Sequence, residues 1–238
     1  KEQYLIVLEN EKSKSQIWTQ VLFIQAEQSD FKGMLKTSKE ALEYFPLEPL
    51  FYYFNGVSNK WFKKYKEALI SFETGVDFVV DNSNLLLEFY SSLADIYHIQ
   101  KKHNLSDKYY EKALEIDSQN VLILNNYAYY LSLRKENLDK AKEMSFRSNQ
   151  LEPNNGTYQD TYAWVLYQMG EFEEAKKWLL KAIENGGEES AVIVEHYGDV
   201  LYRLGDSKEA LKQWIKAKDI GGVSDLLDDK IKNKQIDE

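Results

Sequence analysis

The sequence predicts an all-α protein, an α-α superhelix of about six helix-turn-helix repeats with a half repeat before them and a capping helix after. Three observations predict it. Between Gly156 and Glu189, the residues Ala163, Leu166, Gly170, Phe172, Ala175, Leu179 and Ala182 fall at the spacings of two antiparallel helices joined by a tight turn. The same spacings return on both sides at roughly 34 residues, the period of a helical repeat array. Helix breakers are scarce, with three Pro and eleven Gly in 238 residues.

Taken in order, residues 1–14 read as the second helix of a repeat whose first helix precedes Lys1, with Tyr4 and Val7 facing inward. The chain opens with neither Met nor a leader pattern, which reads as a segment of a longer protein. The first whole repeat, 15–48, places Trp18, Val21 and Leu22 on one side of its first helix, with Gln25 a poor apolar match. Leu22 and Met34 are larger than the small residues their positions call for. The second, 49–82, opens on Pro49, whose missing N–H costs nothing in a first turn; Tyr52, Gly56, Tyr65, Ala68, Phe72 and Gly75 keep the frame. A short insertion, Ser83–Leu86, precedes the third repeat, 87–120, with Tyr90, Leu93, Ala94, Tyr97, Tyr110 and Ala113. The fourth, 121–155, holds Leu124, Tyr127, Ala128, Leu131, Ala141 and Ser148, and one extra residue in its turn near Glu136–Leu138. The fifth is 156–189. The sixth, 191–224, holds Val194, Tyr197, Gly198, Leu201, Gly205, Ala210, Trp214 and Ala217. The charged tail, 225–238, with Leu226, Leu227 and Ile231 on one side, fits a helix that covers the last apolar face. Gly186–Gly187 and Gly221–Gly222 follow second helices, where a left-handed residue ends a helix cheaply.

The steric logic is explicit. A lone pair of helices cannot bury both faces, so neighbours must stack. Gly56, Ala94, Ala128, Ala163 and Gly198 lie where the two helices of a repeat come closest. Ala68, Ala141, Ala175 and Ala210 let adjacent repeats approach.

Composition excludes several classes of function. The net charge of −9 and only three Arg (Arg134, Arg147, Arg203) oppose nucleic-acid binding, which needs a basic face. There is no Cys, hence no disulfide, thiolate zinc site or cysteine nucleophile. No apolar run approaches a membrane span of about 20 residues. His98, His103 and His196 are the only histidines, and His98 and His103 are poorly spaced for a shared metal on a helix. No metal, phosphate or dinucleotide motif occurs, so neither a metal nor a cofactor is expected. Without a nucleophile in a supporting context, the chain reads as non-enzymatic.

In their combination of small and aromatic positions, these repeats resemble the tetratricopeptide repeat (TPR) family along nearly the whole chain. The run LNNYAYYL…LEPNN followed by DTYAWVLYQMGEFEEAKKWLLKAI further resembles a bacterial subclass that includes envelope lipoproteins acting as adaptors, on the periplasmic side with a lipid-anchored parent. The family resemblance implies a TPR solenoid whose first helices line a concave groove. It places Asn125, Asn126 and Tyr129, then Asp160, Trp164 and Tyr167, then Glu195, Asp199 and Tyr202 on that groove, with Tyr53 and Trp61 further toward the N-terminus. Two family mechanisms lack their residues here. The carboxylate clamp needs Lys at the fifth groove position, which reads Thr19, Tyr53, Ser91, Asn125, Asp160 and Glu195. The asparagine ladder needs Asn at the sixth, which reads Gln20, Phe54, Ser92, Asn126, Thr161 and His196.

The aromatic set, Tyr53, Trp61, Tyr129, Trp164, Tyr167 and Tyr202, suits an extended or helical protein segment, with rigid rings as anchors; inter-helix packing is the alternative for any one ring. Asp160, Glu195 and Asp199 make the C-terminal part of the groove acidic and favour a ligand carrying Lys or Arg. Lys60, Lys63, Lys64 and Lys66 cluster around a turn, as a local anion contact or a solvated face. The expected function is a scaffold or adaptor that binds a protein or peptide partner. The alternatives are a structural module with weak self-association and an appendage of a larger protein whose function lies before Lys1.

Overall fold

The computed structural model describes residues 12–221 and 224–236. The expected half-repeat helix lies outside the described residues apart from its last three, 12–14, which form a turn and its exit. Among the described residues there are thirteen α-helices, one 3₁₀ turn at Gly187–Glu189 and no strand. They fall into two compact units, divided between Asp117 and Ser118.

The first unit is three helical hairpins: α1 (Ser15–Glu27) with α2 (Phe31–Tyr44), α3 (Pro49–Trp61) with α4 (Tyr65–Asp77), and α5 (Ser83–Ile99) with α6 (His103–Ile116). The second is three more: α7 (Val121–Arg134) with α8 (Leu138–Leu151), α9 (Gly156–Gln168) with α10 (Phe172–Glu184), and α11 (Ala191–Arg203) with α12 (Ser207–Ile220), followed by the short α13 (Leu227–Asn233). Within each unit every second helix packs on the first helix of the next hairpin, and first helices contact first helices. This is the stacking that buries a repeat's second face.

The helix starts follow from local chemistry. Asp30, Asn82, Asn120, Asn155, Ser190 and Asp206 stand just before helices, and each side-chain oxygen accepts a backbone N–H two or three residues on. The residues inserted at Ser83–Leu86 do not form a loop. Capped by Asn82, they lengthen α5 to 17 residues, about one turn more than the 13 or 14 of other first helices. The extra residue of the fourth hairpin is absorbed by two left-handed positions, Lys135 at φ 56° and Asn137 at φ 46°.

The core has the expected size pattern. Ala41, Ala68, Ala94, Ala113, Ala128, Ala141, Ala163, Ala175 and Ala210 are fully buried. A Cβ at Gly56 would stand 2.3 Å from the Phe72 ring, and one at Gly198 would stand 2.5 Å from Trp214 Cδ1, each on the partner helix of the same hairpin. Leu22 and Met34 are buried despite their size. Gln25, the poor apolar match, is also buried, because its Nε2–H donates to Thr37 Oγ1 at 3.0 Å across the first hairpin.

The tail corrects one detail of the sequence reading. Leu227 seals the last hairpin at 2 % exposure and Ile231 packs partly against the same cluster, but Leu226 is 54 % exposed. The inward position one turn on is taken by Lys230, which is 7 % exposed.

Gly198→Leu would drive a branched side chain into Trp214, and the expected loss is about 1–3 kcal/mol. Urea unfolding followed by circular dichroism measures it; an unchanged midpoint would contradict this helix–helix contact.

Candidate functional site

The candidate residues do not form one set. Tyr53 and Trp61 belong to the first unit, and the rest to the second. In the first unit, Tyr53 meets Phe89 edge-on at 5.6 Å and donates its O–H to Glu88 Oε2 at 3.1 Å. Trp61 sits in the last turn of α3, stacked on Phe31 at 4.2 Å.

In the second unit, the first helices α7, α9 and α11 lie side by side and carry a compact constellation. Trp164 of α9 is nearly parallel to two rings, Tyr167 at 4.6 Å and 7° and His196 at 3.9 Å and 13°. With Tyr129 of α7 they wall a cavity of about 540 Å³, whose far side is built by Glu195, Asp199 and the segment from Ser224 to Lys230. Tyr129 is partly buried; burial first, then the Asp160 and Glu195 carboxylates, push its phenol up, so it stays a neutral O–H. Tyr167 O–H accepts from Arg203 Nε at 3.2 Å, which fixes the second ring.

Of the residues expected in the groove, Tyr129, Trp164, Tyr167, Glu195 and Asp199 line this cavity. Asp160 stands behind it and reaches it through His196. Asn125 is buried and Tyr202 packs against Trp214 at 5.8 Å; neither these two nor Asn126 lines the cavity.

The acidic end is not a free acidic wall. His196 Nδ1 lies 2.8 Å from Asp160 Oδ1, and both side chains are buried. Lys230 Nζ donates to Glu195 Oε1 at 2.8 Å and to Asp199 Oδ2 at 2.7 Å. Asp199 also accepts the Trp214 Nε1–H at 2.9 Å, and Glu195 the Ser224 O–H. Three buried carboxylates are thus engaged within the chain, as burial demands. This corrects the expectation that they attract a cationic ligand: an internal lysine and histidine already occupy them.

The titration follows from the same geometry. Burial alone would pull the His196 imidazole down. The Asp160 carboxylate, with Asp199 and Glu195 behind it, outweighs that and holds it above the ordinary 6.5. When protonated, the ring donates its Nδ1–H to Asp160 and lies over the Trp164 face, a favourable arrangement for a cation. Burial would likewise lower Lys230, but Asp199 and Glu195 raise it. Burial pushes the Asp199 carboxyl upward, outweighing the pull of Lys230.

Sequence reasoning counted His196 onto the groove without giving it a role, and missed Lys230 as a member of the site. His196 is 36 residues from Asp160, about one repeat, and that period was the available signal; Lys230 lies in the tail, outside the repeat frame, and had none.

The stacked helical hairpins, with an aromatic cavity on the first-helix face, define a helical-repeat protein. The chain carries tetratricopeptide repeats: family models for the tetratricopeptide repeat match residues 87–120 and 158–185, and residues 109–143. Comparison with curated proteins finds no match. Among solved structures, the fold is similar to a tetratricopeptide repeat protein from Parabacteroides merdae, at TM-score 0.71 and 16 % identity, covering 98 % of this chain and 90 % of that one. It is also similar to Pseudomonas aeruginosa PilF, at TM-score 0.63 and 20 % identity, covering 79 % and 86 %. A third is YrrB, a TPR protein described as having an unusual peptide-binding site, at TM-score 0.61 and 17 % identity, covering 80 % and 95 %.

Two predictions follow from the charges. Lys230→Met leaves two buried carboxylates without their cation and is expected to lose about 3–5 kcal/mol, read by urea unfolding; adding Glu195→Gln and Asp199→Asn recovers most of it. Since the folded pKa of His196 is raised, its pairing with Asp160 stabilises fully below about pH 6.5 and fades as pH rises through the folded value. The loss of Tm caused by Asp160→Asn is therefore greatest on the acid side of neutrality and narrows toward alkaline pH; a gap that widens with pH would contradict the assignment.

Proposed function

We propose that the second unit binds a segment of a partner protein along α7, α9 and α11, with an apolar or aromatic side chain of the partner seated in the cavity against Trp164 and Tyr167. The observation that carries this reading is the near-parallel stack of Tyr167, Trp164 and His196 on the wall of a 540 Å³ cavity. A flat aromatic wall held in place by Arg203 on one ring and Asp160 on another loses little entropy on binding. Large aromatic side chains of this kind carry most of the energy in protein interfaces. The peptide-binding site described for YrrB supports a scaffold of this type.

The neutralised carboxylates argue for recognition by shape and apolar contact, with charge setting the geometry of the wall. A second cleft, about 530 Å³, lies between Pro153–Gly156 and Asn185–Ser190. It is walled mainly by loop residues and offers no ring to anchor a side chain.

The test is selection of binding peptides from a displayed random library on the whole chain, followed by fluorescence polarisation. Trp164→Ala is expected to weaken a selected peptide by about 30-fold, equivalent to about 2 kcal/mol, with helicity retained. Equal binding by the Trp164→Ala, Tyr129→Ala double variant would remove the cavity from the function.

A further inference from the structure

Six turns join the helices of the six hairpins, and all six close alike. The first residue of each turn donates its N–H three residues back and the second donates five back, as in Lys63 to Lys60 and Lys64 to Asn59, or Gly170 to Tyr167 and Glu171 to Leu166. The first residue is left-handed in every case. The residue pairs are Ser29–Asp30, Lys63–Lys64, Lys101–Lys102, Lys135–Glu136, Gly170–Glu171 and Gly205–Asp206.

Local physics has a clear preference at both places. The left-handed residue is best as glycine, which has no Cβ to clash. The next residue lies at the N-terminus of the second helix, where an acidic or capping side chain complements the dipole and a cation opposes it. Four turns put Asp or Glu at that second place. The second and third turns of the first unit put Lys at both. Lys64 and Lys102 make no capping hydrogen bond, and Lys63 and Lys101 stand at φ 57° and 58°. With Lys135, which is left-handed in the fourth turn, five lysines thus occupy places that the backbone reserves for other residues, four of them in these two turns. Such local misfits are expected where function sets the residue.

The surroundings share one chemistry. Residues 60–66 read KWFKKYK, four lysines and no acid. Trp61 is 62 % exposed and Phe62 is 41 % exposed beside the first lysine pair; Ile99 and Leu105, 44 % and 38 % exposed, flank the second. Lys60, in the last turn of α3, pairs with Asp95 near the end of α5, which brings the two turns to the same edge of the unit. The edge projects aromatic and aliphatic side chains with ammonium groups around them.

We propose that this edge of the first unit docks on an anionic membrane surface, with Trp61 and Phe62 entering the headgroup layer and Lys63, Lys64, Lys101 and Lys102 meeting lipid phosphates. Trp and its neighbours suit the interface, where one side of the ring is apolar and the other wet. Lysine stems lie along apolar surface while their heads reach the charge. An acidic protein is the competing partner; the projecting turns favour the bilayer, because a protein anchor normally fills a pocket. The chain's net charge of −9 does not oppose this, since the contact is local and screened beyond about 10 Å. Among the described residues no helix is long and apolar enough to cross a membrane, so the contact is peripheral.

Sedimentation of the chain with phosphatidylcholine vesicles, with and without phosphatidylglycerol, tests the proposal. Binding is expected only to the anionic vesicles and to fall with salt. A variant carrying the turn residues of the second unit, Lys63→Gly, Lys64→Asp, Lys101→Gly and Lys102→Asp, is expected to bind at least about tenfold more weakly while melting no lower than the parent. Trp61→Ala with Phe62→Ala is expected to weaken binding at every salt concentration, with helicity retained. Binding to neither vesicle, equal binding to both, or undiminished binding of the four-residue variant would overturn the proposal. So would capture of polyglutamate without vesicle binding, which would give the edge to an acidic protein.

Discussion

Two helices can run as close as α11 and α12 do only where one of them has no side chain to interpose. The hydrogen of Gly198 faces the Trp214 ring, and a methyl there would already stand 2.5 Å from it. Gly56 does the same for Phe72, and Ala94, Ala128 and Ala163 do it with a single carbon. This separation decides more than packing. It seats the Trp214 indole at a depth from which its N–H reaches Asp199, and Asp199 in turn shares Lys230 with Glu195. The carboxylates on the cavity wall therefore inherit their position from a contact made by a neighbouring residue of the same helix.

The hairpins were legible because their code is local. Side-chain size repeats at short intervals, and six helix starts carry an Asp, Asn or Ser that accepts a backbone N–H. The contents of the wall were only half legible. Trp164, Tyr167 and Tyr129 could be placed on the first-helix face by counting within a repeat. Lys230 could not, since it lies in a tail of alternating charge where every lysine looks solvated, and only the fold brings it to Asp199. The same limit explains the expected affinity for a cationic ligand. Three acidic residues on one face look unbalanced in sequence, and the balance is supplied from other elements.

Burying those charges has a consequence for binding. A buried carboxylate that has lost water must be satisfied completely, and a lysine with three donors is suited to two of them at once. Once satisfied, such a network resists rearrangement, because moving one member strands the others. Around the cavity, Asp160 holds His196, His196 lies against Trp164, and Arg203 holds Tyr167. The electrostatics thus keep a set of rings parallel in the absence of any ligand, and on the proposed function they act on a partner only in that indirect way.

The first unit uses charge in the opposite sense. Its second and third turns keep lysines in water, at backbone positions that favour glycine or an acid, and the second leaves Trp61 and Phe62 beside them. An exposed aromatic ring gains nothing for the fold beyond its stacking on Phe31, and a lysine at a helix N-terminus works slightly against it. Where all six turns share one hydrogen-bond pattern, differences among their residues are not dictated by the backbone. They reflect what each turn faces, and the two that put lysine at both places are flanked by Trp61 and Phe62 and by Ile99 and Leu105.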